Sequence, residues 1–182
     1  MRDYLKRMRG GKRPRAHIMF SDMMWSWLGA FAGIYGVWLI NHLVGLQDNE
    51  NLYLVGSFGA SAVLIYGVPQ SPLSQPRNLL GGHILSAVAG VIAHLVFPGQ
   101  MALAGALAVS AAIVAMQATH TTHPPGGATA LIAVIGGESV HRLGFLYVLA
   151  PVLAGLLVML FVALFVNNFT RNPERHYPRW WW

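Results

Sequence analysis

Three long uncharged runs constrain the fold of this chain more than any other feature. They cover residues 23–44, 79–116 and 143–168, and only Pro98-Gly99-Gln100 interrupts the second run. A helix needs about 20 predominantly apolar residues to cross a bilayer. Charged residues occupy only 10% of the 182 positions, whereas a soluble domain carries about 25%. The sequence therefore predicts an all-α polytopic membrane helix bundle without a soluble domain of useful size.

The basic residues predict the topology. Seven of the twelve Lys and Arg lie within residues 1–18, and Arg171, Arg175 and Arg179 follow the last apolar run. The positive-inside rule places both ends in the cytoplasm, which requires an even number of crossings and puts the acidic loop at residues 47–51 outside. The first apolar run is too long for a signal-peptide core and lacks a small-residue cleavage site, so we expect the amino end to be retained.

The same charges decide which partners to expect. The pI is about 10.2, but the basic residues are mostly juxtamembrane, where anionic lipid attracts them. We expect contact with membrane lipid and no binding of nucleic acid. The chain has no cysteine, which removes thiolate nucleophiles and thiolate metal sites. Since no catalytic triad, carboxylate pair or phosphate loop stands out, we expect neither an enzyme nor a cofactor.

An internal repeat divides the chain. The segment FGASAVLIYG, from Phe58, aligns with GGATALIAVI, from Gly126, at an offset of 68 residues. Each copy lies between two long apolar helices, so the chain reads as two units in the order long, short, long. This predicts a basic tail at 1–18, membrane repeats at 19–98 and 99–168, and a cytoplasmic tail at 169–182.

The short segments either cross the membrane or re-enter it. Six crossings make the two repeats inverted and place Arg77 in the cytoplasm, as the positive-inside rule prefers, whereas four make them parallel and place it outside. We favour about six transmembrane segments, two of them short and broken. Short Gly- and Pro-interrupted segments at matching positions of two halves indicate a transporter's binding site.

The chemistry of these segments favours an anion. Pro124 and Pro125 suit a helix start near Gly126, where free amides and the helix dipole attract negative charge. Two such starts facing each other near the midplane would form an anion site, with Ser61 and Thr129 as additional donors. Close helix packing is the alternative role of the glycines. The predicted anion-binding or permeation residues are Gly59, Ala60, Ser61, Arg77, Asn78, His83, His120, His123, Gly126, Gly127, Ala128 and Thr129.

Two of these groups have competing interpretations. Arg77 either anchors a helix end to lipid headgroups or is a fixed positive charge at a pore mouth. His83, His120 and His123 could form a three-imidazole zinc or copper site. None of the six acidic residues lies inside an apolar run, and cation transport usually needs carboxylates there. A metal-binding or metal-transporting protein is therefore the main alternative, and a structural membrane module is the third.

The motifs THPPGGATAL, FGASAV and SPLSQPRNLLGGH resemble those of the HPP family of integral membrane proteins over roughly residues 15–170. Plant chloroplast and cyanobacterial members are implicated in nitrite transport, so the resemblance implies transport of nitrite, with nitrate as the second candidate. Because the sequence shows no transit peptide, we expect a bacterial inner membrane in place of the chloroplast envelope. The small residues at 29–33 of the first helix permit close contact between copies, and we expect a homo-oligomer, a dimer or trimer.

Overall fold

The computed structural model describes residues 19–43 and 56–182, and that part of the chain is helical without any strand. The predicted basic tail at 1–18 and the acidic loop at 47–51 lie outside the described residues. Seven α-helices are described, with one π-helical turn ending the second and another preceding the seventh. They are α1 (Phe20–Leu43), α2 (Gly56–Ala62, followed by the π-turn Val63–Gly67), α3 (Pro76–Val96), α4 (Met101–Ala118), α5 (Pro124–Ile135), α6 (Glu138–His141) and α7 (Ala154–Phe169, preceded by the π-turn Val148–Leu153).

Proline and glycine set several helix boundaries. The α3 helix begins at Pro76, and α5 begins with two successive prolines, where the missing amide hydrogen costs nothing because a first turn leaves it unpaired anyway. Gly99, between α3 and α4, and Gly137, after α5, both have φ of +76°, a left-handed conformation that glycine adopts at little cost. The apolar run at 79–116 therefore folds as a tight pair of helices.

Within the described ranges, four segments are long and apolar enough to cross a membrane: Phe20–Ile40, Pro76–Val96, Met101–Ala118 and Val148–Phe169. This confirms a polytopic helical membrane protein. The two repeated segments form the shorter apolar helices Gly56–Gly67 and Pro124–Ile135. At about 1.5 Å per residue, twelve residues extend roughly 18 Å, which is less than the hydrocarbon thickness of about 30 Å. The six predicted segments are thus four long helices and two short ones.

The packing of α1 shows that it runs antiparallel to α7. Gly29 near the start of α1 faces Val166 near the end of α7, and Gly36 of α1 faces Val158. Gly29 and Gly33 also receive the ring of Tyr66, whose hydroxyl donates to the Met159 carbonyl oxygen at 2.9 Å. Our expectation that the small residues at 29–33 contact another copy is therefore wrong for both glycines, because the chain's own tyrosine fills that surface. The homo-oligomer itself stays a prediction.

The α3 and α5 helices run parallel in close contact. Gly82 of α3 faces His123 at the start of α5, and Gly90 of α3 faces Ala130 of α5. A side chain at either glycine would separate the two backbones, so packing requires glycine at both positions. The α4 helix lies antiparallel to both, since only residues 97–100 connect it to α3.

The two short helices lie side by side in opposite directions. Ser57 of α2 is hydrogen-bonded to Thr129 of α5, and Ser61 one turn later is hydrogen-bonded to His123, which precedes α5. The two short helices therefore run antiparallel. With the pairings above, α1, α2, α3, α4, α5 and α7 alternate in direction. The triplets α1–α2–α3 and α4–α5–α7 are thus opposed, as inverted repeats require, while the boundaries at 19–98 and 99–168 stay a prediction.

Two ends of the bundle can be distinguished. At the one we call the Arg77 end, the C-terminal segment closes over the start of α1: buried Arg175 donates to the Asp22 and Tyr66 carbonyl oxygens at 3.0 and 2.7 Å. Burial lowers the pKa of the Arg175 guanidinium, and the Asp22 charge acts in the opposite direction. At the His94 end, the rings of His94 and His141 stack 3.7 Å apart. The start of α1, the C-terminal segment and Arg77 therefore share one end, and its assignment to the cytoplasm stays a prediction.

Candidate functional site

A buried polar cluster occupies the contact between the two short helices and α3. Its members are two serines of α2, one histidine of α3, and the histidine and threonine of the α5 segment: Ser57, Ser61, His83, His123 and Thr129. Each is at most 1% exposed. Buried polar groups in an apolar bundle need hydrogen-bond partners to offset their desolvation, so the contacts within this cluster decide what it can do.

Four hydrogen bonds connect these side chains in one continuous chain, and a fifth connects the chain to the backbone. Ser57 Oγ lies 2.7 Å from Thr129 Oγ1, which lies 2.6 Å from His83 Nδ1. On the other side of that ring, His83 Nε2 lies 2.7 Å from Ser61 Oγ, which in turn lies 2.9 Å from His123 Nε2. The chain ends where His123 Nδ1 lies 2.7 Å from a backbone carbonyl oxygen, that of residue 73.

The carbonyl at the end of this chain fixes its direction. Because the Leu73 oxygen can only accept, His123 Nδ1 carries the hydrogen, and the Nε2 atom of a neutral His123 must accept. Ser61 therefore donates its single hydrogen to His123. Its oxygen can then only accept from His83 Nε2, so that nitrogen carries the hydrogen of a neutral His83 ring.

The same reasoning determines the remaining two bonds. With its hydrogen on Nε2, a neutral His83 accepts at Nδ1. Thr129 donates to that nitrogen, and Ser57 donates to the Thr129 oxygen. With both rings neutral, one arrangement of hydrogens satisfies all five bonds, and every hydroxyl hydrogen in the cluster is used inside it. Ser61 and Thr129 are thus donors to protein atoms, and their role as donors to an anion stays a prediction.

The surroundings of the cluster are apolar and aromatic. The Phe58 ring meets His83 edge to face, with centroids 6.0 Å apart, and the Tyr147 hydroxyl donates to the Thr129 carbonyl oxygen at 3.2 Å. In residues 19–43 and 56–182, the acidic side chains are Asp22, Glu138 and Glu174, and all three belong to elements at the ends of the bundle. The interior of the described bundle therefore offers histidine and hydroxyl groups without a carboxylate.

Arg77 and Asn78 hold the loop that leads to this cluster. Arg77 donates to the Thr119 carbonyl oxygen at 2.7 Å, and Asn78 donates to the Thr122 carbonyl oxygen at 2.8 Å. Both side chains are partly exposed. Their observed contacts are thus structural, because they position the turn between α4 and α5. A pore-mouth role for the Arg77 charge stays a prediction.

The three histidines of the metal interpretation do not come together. His83 and His123 share Ser61 between them, while His120 is exposed in the turn after α4, with φ of +55°. Over the described ranges, no group of three or more His, Asp or Glu side chains is close enough to hold a metal ion. His120 is also outside the polar cluster, so the structure does not join it to the other predicted site residues.

The helix starts differ from the predicted arrangement. Pro124 and Pro125 have no amide hydrogen, and the Gly126 amide donates to the His123 carbonyl oxygen at 2.8 Å. The antiparallel contact also places the starts of α2 and α5 at opposite ends of their overlap. The expectation of two facing helix starts, with a free amide at Gly126, is therefore wrong, because side-by-side packing replaces end-to-end packing.

The small residues of the repeat divide into two groups. A Cβ on Gly126 would meet Ser86 Oγ at 2.7 Å, so this glycine serves close packing against α3. Gly59 has no neighbour within 4 Å of such a Cβ, and Ala60 and Ala128 are exposed, with Gly127 partly exposed. These four are therefore outside the buried polar cluster.

Two participants were not predicted from the sequence. Ser57 lies four residues before Ser61, so the two share a face of α2, and this spacing could have indicated it. The Leu73 carbonyl oxygen had no comparable signal, because the residue type does not reveal which backbone oxygen a distant histidine will reach.

Comparison with known proteins agrees with these observations. A family model described as HPP, transmembrane region, matches residues 15–178. Two relatives from Dictyostelium discoideum are 49% identical to this chain over 98% of its length, and each is named only as a transmembrane protein. The match covers 57% of the length of one relative and 63% of the length of the other. The chain thus spans about three fifths of these relatives. No solved structure matches it. The chain belongs to the HPP transmembrane family.

Proposed function

We propose that this protein transports a small monovalent anion, nitrite first and nitrate second, across the membrane at the contact between α2 and α5. The observation that carries the proposal is the buried Ser–His–Thr chain in the interior of an apolar bundle, where the described residues include no acidic side chain. Ionisable residues inside a membrane are costly and mark transport paths by default. A cation would find no carboxylate here to balance its charge.

The two short helices provide the moving part. The α2 helix contributes Ser57 and Ser61, and the α5 segment contributes His123 and Thr129. When these helices separate, hydroxyl hydrogens now donated across the contact become free for an anion. Oxygen atoms of nitrite or nitrate accept such hydrogen bonds, so the anion replaces the acceptors that the helices lose.

The exposed face of α2 offers little resistance to movement. Gly59, Ala60 and Ala128 carry little side-chain surface, and a Cβ on Gly59 would meet no described residue within 4 Å. The opposite faces of α2 and α5 are tightly packed, as at Gly126. We therefore expect α2 to move relative to α5, while the α3–α5 contact stays closed.

Flux into liposomes containing only this protein tests the proposal. Nitrite, nitrate, chloride and zinc are compared, with protein-free vesicles subtracted. We expect nitrite and nitrate uptake above background and no zinc uptake. Zinc uptake without anion uptake would support the metal interpretation instead. Absence of flux for every ion would support a structural membrane module.

A matched pair of variants locates the path. Thr129→Val keeps the shape of the side chain but removes the hydroxyl shared by Ser57 and His83, and we expect at least a tenfold loss of nitrite flux. Ser110→Ala is the control, because Ser110 is exposed on α4 and its hydroxyl donates only to the Leu107 carbonyl oxygen of the same helix. Equal flux in both variants would contradict the proposed site.

Orientation and assembly are part of the same proposal. We place the protein in a bacterial inner membrane, with both termini in the cytoplasm and Glu50 and Glu138 outside. We also propose a homo-oligomer, a dimer or trimer. Several large apolar side chains of α1 face outward, among them Trp27 at 63% and Phe31 at 58% exposed, and lipid or another copy must cover them.

A further inference from the structure

We infer that the cluster binds one proton together with the anion, so that transport is electroneutral proton–anion symport. The inference rests on the proposed function and names its coupling ion. Its basis is geometric: the five side chains form a continuous chain in which Ser61 Oγ bridges the Nε2 atoms of His83 and His123 at 2.7 and 2.9 Å. One hydroxyl between two imidazoles can donate to either ring, so the chain has two directions.

An added proton selects the second direction. If His123 is doubly protonated, its Nε2 donates to Ser61, whose hydrogen then turns to His83 Nε2. His83 must now donate from Nδ1 to Thr129, and Thr129 donates to Ser57. Each heavy-atom contact is kept, each bond still has one donor and one acceptor, and no side chain needs to move. The cluster can therefore hold one extra proton without losing a hydrogen bond.

The proton relay balances atom by atom. A proton arrives at Ser57 Oγ, and the hydrogen already there passes to Thr129 Oγ1. The hydrogen of Thr129 passes to His83 Nδ1, while the hydrogen on His83 Nε2 passes to Ser61 Oγ. Finally, the hydrogen of Ser61 passes to His123 Nε2. Ser57, Thr129, His83 and Ser61 each gain one bond to hydrogen and lose one, whereas His123 gains one. Nothing is oxidised, and the single positive charge ends on the imidazolium of His123.

An anion is the natural counter-charge for this imidazolium. The titratable or charged side chains on the elements around the two histidines belong to α3, the turn before α5, the end of α2, the segment before α7 and the C-terminal segment. They are Arg77 and His94 on α3, His120, Tyr66, Tyr147, and Arg171, Glu174, Arg175, His176, Tyr177 and Arg179 of the C-terminal segment. The one acidic side chain among them, Glu174, is exposed at the Arg77 end of the bundle and is outside the buried cluster. A lone imidazolium in an apolar bundle is costly, and so is a lone anion, but the pair is neutral.

Proton movement with nitrate in proteoliposomes is the test. Nitrate is tested before nitrite because nitric acid is strong and stays ionised. Nitrous acid is weak, and its uncharged form crosses bilayers without a transporter. The interior contains a pH-sensitive dye, and pH gradients and potassium-valinomycin potentials are imposed separately. If nitrite alone is carried, the same measurement is made with the protein-free rate subtracted.

We expect an acidic exterior to drive anion uptake, about one proton to enter with each anion, and a potential alone to have no effect. Anion uptake driven by the potential, without proton movement, would overturn the proton inference and leave the proposed function intact. Absence of all anion uptake would overturn the proposed function itself. The two failures are thus distinguishable.

Variants identify the proton-binding group. His123→Gln keeps a hydrogen-bonding amide but cannot become an imidazolium, and Ser61→Ala leaves both imidazoles and removes the bridge between them. Both should lose at least nine tenths of the proton movement per anion, and any anion uptake that remains should respond to the potential. His42→Gln is the control, since this ring stacks on Trp38 at the end of α1. One proton per anion in both His123→Gln and Ser61→Ala would refute the relay.

Discussion

Gly126 and Gly127 are neighbours in α5, yet the structure predicts opposite responses to alanine. A Cβ on Gly126 would lie 2.7 Å from Ser86 Oγ, 2.9 Å from the Gly82 carbonyl oxygen and 3.1 Å from Met116 Sδ. A Cβ on Gly127 would have a single neighbour, Val109 Cγ1, at an ordinary 3.8 Å. The Ser86 hydroxyl can rotate away, but the Gly82 carbonyl is backbone and can move only with α3.

The magnitude follows from these contacts. Ordinary van der Waals contact begins at 3.4 Å, so the Gly82 carbonyl alone requires α3 and α5 to separate by about half an ångström. Overpacking of this kind costs about 1–3 kcal/mol, whereas Gly→Ala in a helix gains roughly 0.5–1 kcal/mol. Gly126→Ala should therefore lower the free energy of unfolding by about 1–2 kcal/mol, and Gly127→Ala should raise it by up to about 1 kcal/mol.

Unfolding in mixed micelles with increasing SDS, followed by far-UV circular dichroism, measures both variants against the parent. The helix-propensity gain is nearly the same at adjacent helical positions, so the difference between the variants isolates the packing term, about 1–3 kcal/mol. Equal unfolding free energies for the two variants would refute the assignment of Gly126 to the α3–α5 contact.

Three further predictions concern the Arg77 end. Arg175→Gln removes the buried cation that connects the C-terminal segment to α1 and α2. This variant should unfold at a lower SDS fraction than Arg171→Gln, which alters an exposed arginine. Equal unfolding midpoints for the two variants would contradict the connection. Single cysteines at positions 77 and 138 of this cysteine-free chain should be labelled from opposite sides of the membrane, and labelling from the same side would refute the alternating helix directions. Arg77→Gln should lower nitrite flux. The difference in flux from the parent should become smaller at high salt, because roughly 0.1 M salt screens an exposed charge within about 10 Å. A difference that does not depend on salt would mean that Arg77 only supports the loop.

The sequence by itself determined the class of the molecule. Long runs without charge are typical of membrane-crossing helices. The positions of the uncharged runs therefore predicted the four long helices. The two prolines that open α5 determined where that helix starts, because proline constrains its own backbone. The polar residues of the two repeated segments and of α3 also stood out against their apolar neighbours.

Only the tertiary structure decided how those residues are used. Ser61 meets His83 and His123 from positions 22 and 62 residues away, and side-by-side packing of α2 and α5 selects these partners in place of facing helix starts. The same packing leaves His120 outside the cluster and fills the surface of Gly29 and Gly33 with Tyr66. Hydropathy and helix starts are properties of adjacent residues, whereas a hydrogen-bond partner depends on which helix faces lie in contact, and that is decided by close packing across the whole bundle.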